Sequence, residues 1–230
     1  MASGQDEVAR AFAARHASNG ARLLTPKDLS RAGWRHGLGD LDSSAAVVAG
    51  RPCAACHIMG VVIRLPGVLE QDLSYIVPPD RAYVAAEMNA FLRFWLRELC
   101  CPMLNRPTRN SLAGPQWRQE QWVYTAARLG IPVMASHRHI ARASACTDAA
   151  QVPPEGTTVT IVGGQHFGAV DQALARQARC LADVAGVDLL AVRFSGAEPG
   201  SRFVSANPWP DITPDDVADA ILEYLQEGSR

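Results

Sequence analysis

Apolar residues recur at three- and four-residue spacing in several stretches of the chain, each bounded by a capping or breaking residue. The clearest is 77–100 (VPPDRAYVAAEMNAFLRFWLRELC), where Val84, Met88, Phe91, Leu92, Trp95 and Leu99 fall on one stripe of a helix. Asp80 is placed to cap its start, and Pro102 follows its end. Shorter amphipathic helices are predicted over 6–19, stopped by Gly20, over 117–130, stopped by Gly130, and over 171–186. Thr25 and Pro26 open a turn of helix over 25–30. The stretch 213–228 reads as a terminal helix with Thr213 as its cap. Asp215 and Asp216 sit in its first turn, where negative charge complements the helix dipole.

Between these helices lie short apolar blocks that read as strands: 21–25, 45–50, 60–66, 102–105 and 131–136. Residues 33–44 are turn-rich. Helix and strand alternate, which predicts an α/β layer with parallel pairing. From His137 to Gly156 the pattern weakens, and the domain boundary is placed there. Beyond it, 157–164 and 165–170 form a hairpin around Gly163-Gly164. A second strand pair, VDLLAVRF and 202–206, is joined by the turn chemistry of Gly196 to Gly200. The expected fold is α/β: an N-terminal open α/β domain, 1–136, then a smaller α+β piece, 137–230.

Composition narrows the function classes. The chain has 230 residues, 48% apolar and 20% charged, an ordinary globular balance. A formal net charge of -1 gives no basic field for nucleic acid or an anionic membrane. No apolar run reaches membrane-spanning length, and the N-terminal residues carry no export-signal pattern, so a cytoplasmic location with mostly reduced cysteines is expected. Among the 22 Lys and Arg, Lys27 is the one lysine. Any mechanism needing two titratable amines is excluded, because arginine replaces lysine as an anion ligand but not as an amine that loses its proton.

Several residue groups carry candidate chemistry. Asp188 and Asn207 stand at the start and end of the second strand pair, where two oxygen donors form half of a hard-cation site or act as turn residues. Cys53, Cys56 and His57 form Cys-x-x-Cys-His, a pattern open to zinc, to iron as c-type haem, to redox chemistry, or to two small buried cysteines. Ser136-His137-Arg138-His139 sets two histidines on one side of an extended segment, or in a solvated loop. His166 follows the hairpin turn. Glu87 requires an arginine partner if it faces inward and is ordinary if it faces outward. Arg64, Arg106 and Arg109, with Asn105, lie near strand ends of the N-terminal domain. Ligands collect at the carboxyl ends of parallel strands, so these residues form a candidate anion or substrate site.

Three stretches carry a resemblance to a known family. LCCPMLNRPTRNSLAGPQWRQEQWVYTAARLGIPV (99–133), VTIVGGQHFGAV (159–170) and LADVAGVDLLAVRF…SRFVSANPWPDI (181–212) resemble, in that order, segments of the ATP-grasp superfamily. The similar branch holds peptide-glutamylating ligases and ribosomal-peptide maturases. The resemblance implies ATP held between two α+β subdomains, magnesium on its phosphates, and phosphorylation of a carboxylate that an amine or thiol then attacks. Asp188 matches the family's first metal carboxylate and Asn207 its metal-binding Asn, but Ser205 stands where the family has Glu. A serine supplies neither that charge nor the second oxygen. The interval from Met134 to Thr158 is far shorter than the family's and contains no lysine, so the nucleotide clamp is expected to be missing.

The resemblance thus implies an ATP-grasp-related protein with a reduced site. It binds a small-molecule or peptide substrate, or a partner, in a biosynthetic or peptide-modifying system. Apolar surface left by the missing subdomain predicts a homodimer or a heteromeric partner such as a complete ligase. Two alternatives remain open: a minimal carboxylate–amine or carboxylate–thiol ligase using Mg with ATP at a partial site, and a Cys/His protein holding Zn or Fe.

Overall fold

The structure, a computed structural model, describes residues 1–37, 40–134 and 156–227. The described helices are α1 Glu7–Arg15, α2 Pro26–Leu29, α3 Arg81–Glu98, α4 Gln119–Arg128, α5 Gln172–Ala185 and α6 Asp215–Glu227. The described strands are β1 Arg35–Gly37, β2 Asp40–Val48, β3 Arg51–Ala54, β4 Val61–Val62, β5 Met103–Leu104, β6 Thr157–Val162, β7 Gln165–Phe167, β8 Leu189–Phe194 and β9 Phe203–Asn207. The fold is mixed α/β, and it divides into two compact units. One comprises Met1–Gln116 with Asp211–Arg230, the other Trp117–Pro210. This grouping differs from a 1–136/137–230 division: α6 belongs with the N-terminal residues and α4 with the C-terminal sheet. The boundary expected at 137–156 falls almost wholly within 135–155, outside the described residues.

In the first unit, β1, β2 and β3 form an antiparallel sheet. The stretch 33–44, read as turns, supplies β1 and the start of β2. Ala49 and Gly50 join β2 to β3 with φ of 51° and 74°, and Val48 pairs with Arg51. Positive φ at both central residues suits a two-residue hairpin turn, because the turn's twist then follows that of the strands. Buried Asp28 holds two elements at once. Its Oδ2 accepts from the Thr25 N–H (2.9 Å), closing the start of α2, and its Oδ1 accepts from the Gly50 N–H (2.8 Å).

Parallel pairing is limited, among the described residues, to β4 with β5 and to a single bridge between Val133 and Phe203. The expected strand 21–25 is not one, and 60–66 and 102–105 contribute two paired residues each. Their remaining backbone groups find distant partners instead. The Ala2 N–H donates to Leu24 O (3.1 Å) and the Arg64 N–H to Met1 O (2.8 Å). The apolar stripe of α3 buries Leu92, Trp95 and Leu96 as the 3.6-residue period requires. Trp34 meets the rings of Phe91 and Trp95 edge-on, each at 5.3 Å.

The second unit is a four-stranded antiparallel sheet in the order β7-β6-β8-β9. The pairs Ile161 with Leu190 and Val159 with Val192 put alternate residues on one face. Those residues pack with Leu174, Ala178 and Leu181 of α5 and with Trp122 and Ala126 of α4 in one buried cluster. Asp171 caps α5 by accepting from the Ala173 N–H, and Gly186 ends it at φ 64°. Each large side chain buried there contributes about 1.5–3 kcal/mol.

Candidate functional site

The second unit's sheet has a face opposite that buried cluster. Strand alternation places Leu189, Ala191 and Arg193 of β8 on it. The register aligns Phe167, Thr160, Ala191 and Asn207 in one row and Thr158, Arg193 and Ser205 in the next. The hairpin and the second strand pair form as their sequence pattern predicts. Asp188 and Asn207 come to the same end of the β8–β9 pair, and both are exposed. They are not register partners: Asn207 lies opposite Ala191, three residues beyond Asp188. The Asn207 amide is folded onto the chain that follows. Its Oδ1 accepts from the Trp209 N–H (2.9 Å) and its Nδ2 donates to Trp209 O (3.1 Å). This is an Asx turn, and an amide oxygen so used still has a second lone pair.

The first unit contains a cavity of about 770 Å³ whose lining includes Phe12, Cys53, His57, Arg64, Trp95 and Leu225. Two members of the Cys-x-x-Cys-His motif therefore share a wall, while Cys56 is exposed and stands outside the lining. The Cys53 thiol donates to Ala54 O at 3.6 Å. Among the described residues, no three His, Cys, Asp or Glu side chains are grouped to hold a metal ion. His137 and His139 lie outside the described residues. Burial, then the neighbouring Arg64 charge, pushes the Met1 amine down to about 5. Arg64 is tied to Asp6 by an Nε–Oδ2 ion pair of 2.9 Å.

The four residues proposed as an anion site divide. Arg64 belongs to this first cavity. Asn105 is buried beyond the end of β5, joined to Leu104 by a cis peptide. Arg106 and Arg109 line a second cavity in the same unit, about 680 Å³, with Arg93, Leu96, Arg97, Pro107 and Thr108. Arg93 and Arg97 were missed because they read as the polar side of a helix. Their four-residue spacing is the signal that puts them on one face of α3. Cys101 lies near Arg106, and burial nevertheless pushes its thiol up. Glu87 and His166 are exposed.

No protein-family model matches the chain. No curated protein matches its sequence. Solved structures do match its fold along nearly the whole length. Macrocyclase MdnC of Microcystis aeruginosa MRC, bound with precursor peptide MdnA, superposes with a TM-score of 0.63 at 12% identity, covering 98% of each chain. Macrocyclase MdnB of the same organism gives a TM-score of 0.57 at 15% identity, covering 98% of this chain and 97% of its own.

Proposed function

We propose that the chain is an ATP-grasp-related protein of a peptide-modifying biosynthetic system, acting as a substrate-binding or partner subunit. The observation that carries this reading is the likeness in fold, over nearly all of both chains, to a macrocyclase bound with its precursor peptide. The order of the three family-like stretches supports it independently of the fold likeness. Ser205 in place of a metal-binding carboxylate, and the short interval before β6, favour a binding role over ATP chemistry by this chain alone. Exposed Leu69, Val77 and Tyr83, at 51%, 60% and 70% of their full accessible surface, are apolar groups that a partner would cover. Two measurements on the full chain test the reading. Calorimetric titration with Mg-ATP is expected to give no saturable heat, and light scattering a mass above one chain. A clean monomer at micromolar concentration counts against the covering partner.

A second reading, a minimal ligase, draws on the exposed Asp188 and Asn207 at one end of the β8–β9 pair. It requires saturable Mg-ATP binding that Asp188→Ala abolishes. Magnesium would take its oxygens from Asp188 and Asn207 and neutralise phosphate charge there. Binding unchanged by Asp188→Ala removes this reading.

A further inference from the structure

We propose that the cavity between α3 and the loop after β5 binds a small, multiply charged oxyanion, a diphosphate or a polycarboxylate, through Arg93, Arg97, Arg106 and Arg109. The four arginines come from two elements and line one cavity that, among the described residues, no acidic side chain lines. Arg93 and Arg97 are one helical turn apart on α3, so they project side by side.

The loop that carries Arg106 and Arg109 is fastened on both sides. The Thr108 N–H donates to Ser111 O (2.8 Å), and the Thr108 hydroxyl donates to Gly114 O (3.2 Å). The Leu112 N–H donates to Pro66 O (2.8 Å), which anchors the loop to the segment after β4. Both pairs of arginines therefore stand on hydrogen-bonded frames.

Four other arginines of the same unit have partners for their side chains, whereas, among the described residues, the cavity arginines have none. Arg15 pairs with Asp215, Arg31 with Asp28 and Arg64 with Asp6, while Arg81 donates to Ile76 O and Ser74 O. Among the described residues, none of the four cavity arginines makes a side-chain hydrogen bond or an ion pair. The Arg93 Nε is buried without an acceptor. Like charges facing one cavity repel one another, and a buried donor without a partner destabilises the fold. An oxyanion in the cavity answers both. It supplies negative charge and several acceptor oxygens, and the planar guanidinium fork matches phosphate and carboxylate in two-point contact. The volume, about 680 Å³, is that of a small-molecule site, which favours a compact ligand over a long polymer.

The site is confined to the first unit and makes no use of Asp188 or Asn207, so its test is separate from that of ATP binding. Calorimetry on the full chain with inorganic pyrophosphate and with citrate, at constant ionic strength, reads the binding. Saturable one-site binding of at least one anion is expected, and the preferred anion identifies the phosphoryl or carboxylate source. The double change Arg106→Gln/Arg109→Gln is expected to weaken that binding by about tenfold or more, while Arg202→Gln, an exposed arginine of the second unit, leaves it unchanged. Both positions of the double change are exposed loop residues, so this variant is decisive even if Arg93→Gln fails to fold. In the ligand-free protein, Arg97→Gln is expected to keep or raise the melting temperature, because it relieves repulsion. No saturable binding of either anion at millimolar concentration overturns the proposal. So does equal binding by wild type and double variant, or binding of a glutamate-rich peptide alone.

Discussion

The two units hold their strands together in different ways. In the second, each strand pairs with one close along the chain: β6 with β7 across Gly163-Gly164, β8 with β9 across 195–202, and β6 with β8 after β7 and the one helix α5. One face of that sheet is covered by the amphipathic helices α4 and α5, so its stability is concentrated in contiguous apolar packing. In the first unit, β4 finds its partner β5 forty residues on, and the chain start is hydrogen-bonded to 24 and 64. Its order depends on single long-range ties, some of them polar. Local patterns build the one region and distant pairs close the other.

The largest expected effect breaks the packed side of this contrast. Phe194 and Phe203 are register partners with no accessible surface. Phe194→Ala removes a ring from a close-packed cluster and is expected to cost about 3–5 kcal/mol. Urea unfolding followed by tryptophan fluorescence reads it through Trp117 and Trp122, whose rings lie 4.6 Å apart beside that core. A loss below about 1 kcal/mol would mean that this core relaxes around the gap, contrary to the close packing on which the estimate rests.

A smaller effect tests the polar ties of the first unit. Asp6 does two things: its Oδ1 accepts from the Ala9 N–H (2.9 Å) as the cap of α1, and its Oδ2 takes the Arg64 ion pair. The pair is mostly buried, with side chains 18% and 11% exposed, so solvent screens it weakly. Asp6→Ala loses the cap and the pair, about 2 kcal/mol together, whereas Asp6→Asn keeps a capping oxygen and loses only the charge, about half as much. Equal losses from the two substitutions would show that the ion pair, and not the cap, carries the whole effect.

How much of this was legible in the sequence follows the same division. The helices now labelled α1 and α3 to α6, and the β6–β7 and β8–β9 pairs, were readable because hydrophobic period, caps and turn glycines agree within each segment. β4 and β5 fall within the stretches read as strands, 60–66 and 102–105, but their two-residue extent was not readable, and the β1–β2 start was not readable because residues 33–44 carry turn-forming residues inside strands. The parallel sheet expected from helix–strand alternation gave way to hairpins, since Ala49-Gly50 turns the chain straight back without any Asn-Gly signal. Of the candidate site residues, the sequence singled out Arg106 and Arg109, which do share a cavity. It could not join them to Arg93 and Arg97, because nothing in a helical charge pattern says which loop it will face.

The smallest expected effect concerns the start of α6, an exposed tie. Asp211 Oδ1 accepts from the Thr213 hydroxyl (2.7 Å) and the Thr213 N–H (2.9 Å), and these two bonds hold its carboxyl below the usual aspartate range. The sign follows from proton counts. Near the ordinary aspartate pKa of about 4, the unfolded chain takes up a proton that the folded chain resists. Stability from this group is therefore complete above that pH and is lost as pH falls through the lower folded value. Wild type and Asp211→Asn compared by urea midpoint are expected to differ by a few tenths of a kcal/mol at pH 7, because exposed charged contacts are weak. The difference should shrink as pH falls through the lowered folded value, while acids common to both proteins shift the two curves together. A difference constant with pH would assign the contribution to loop geometry instead of to the ionised carboxylate. The first unit's contrast with the packed sheet would then rest on its buried pairs alone.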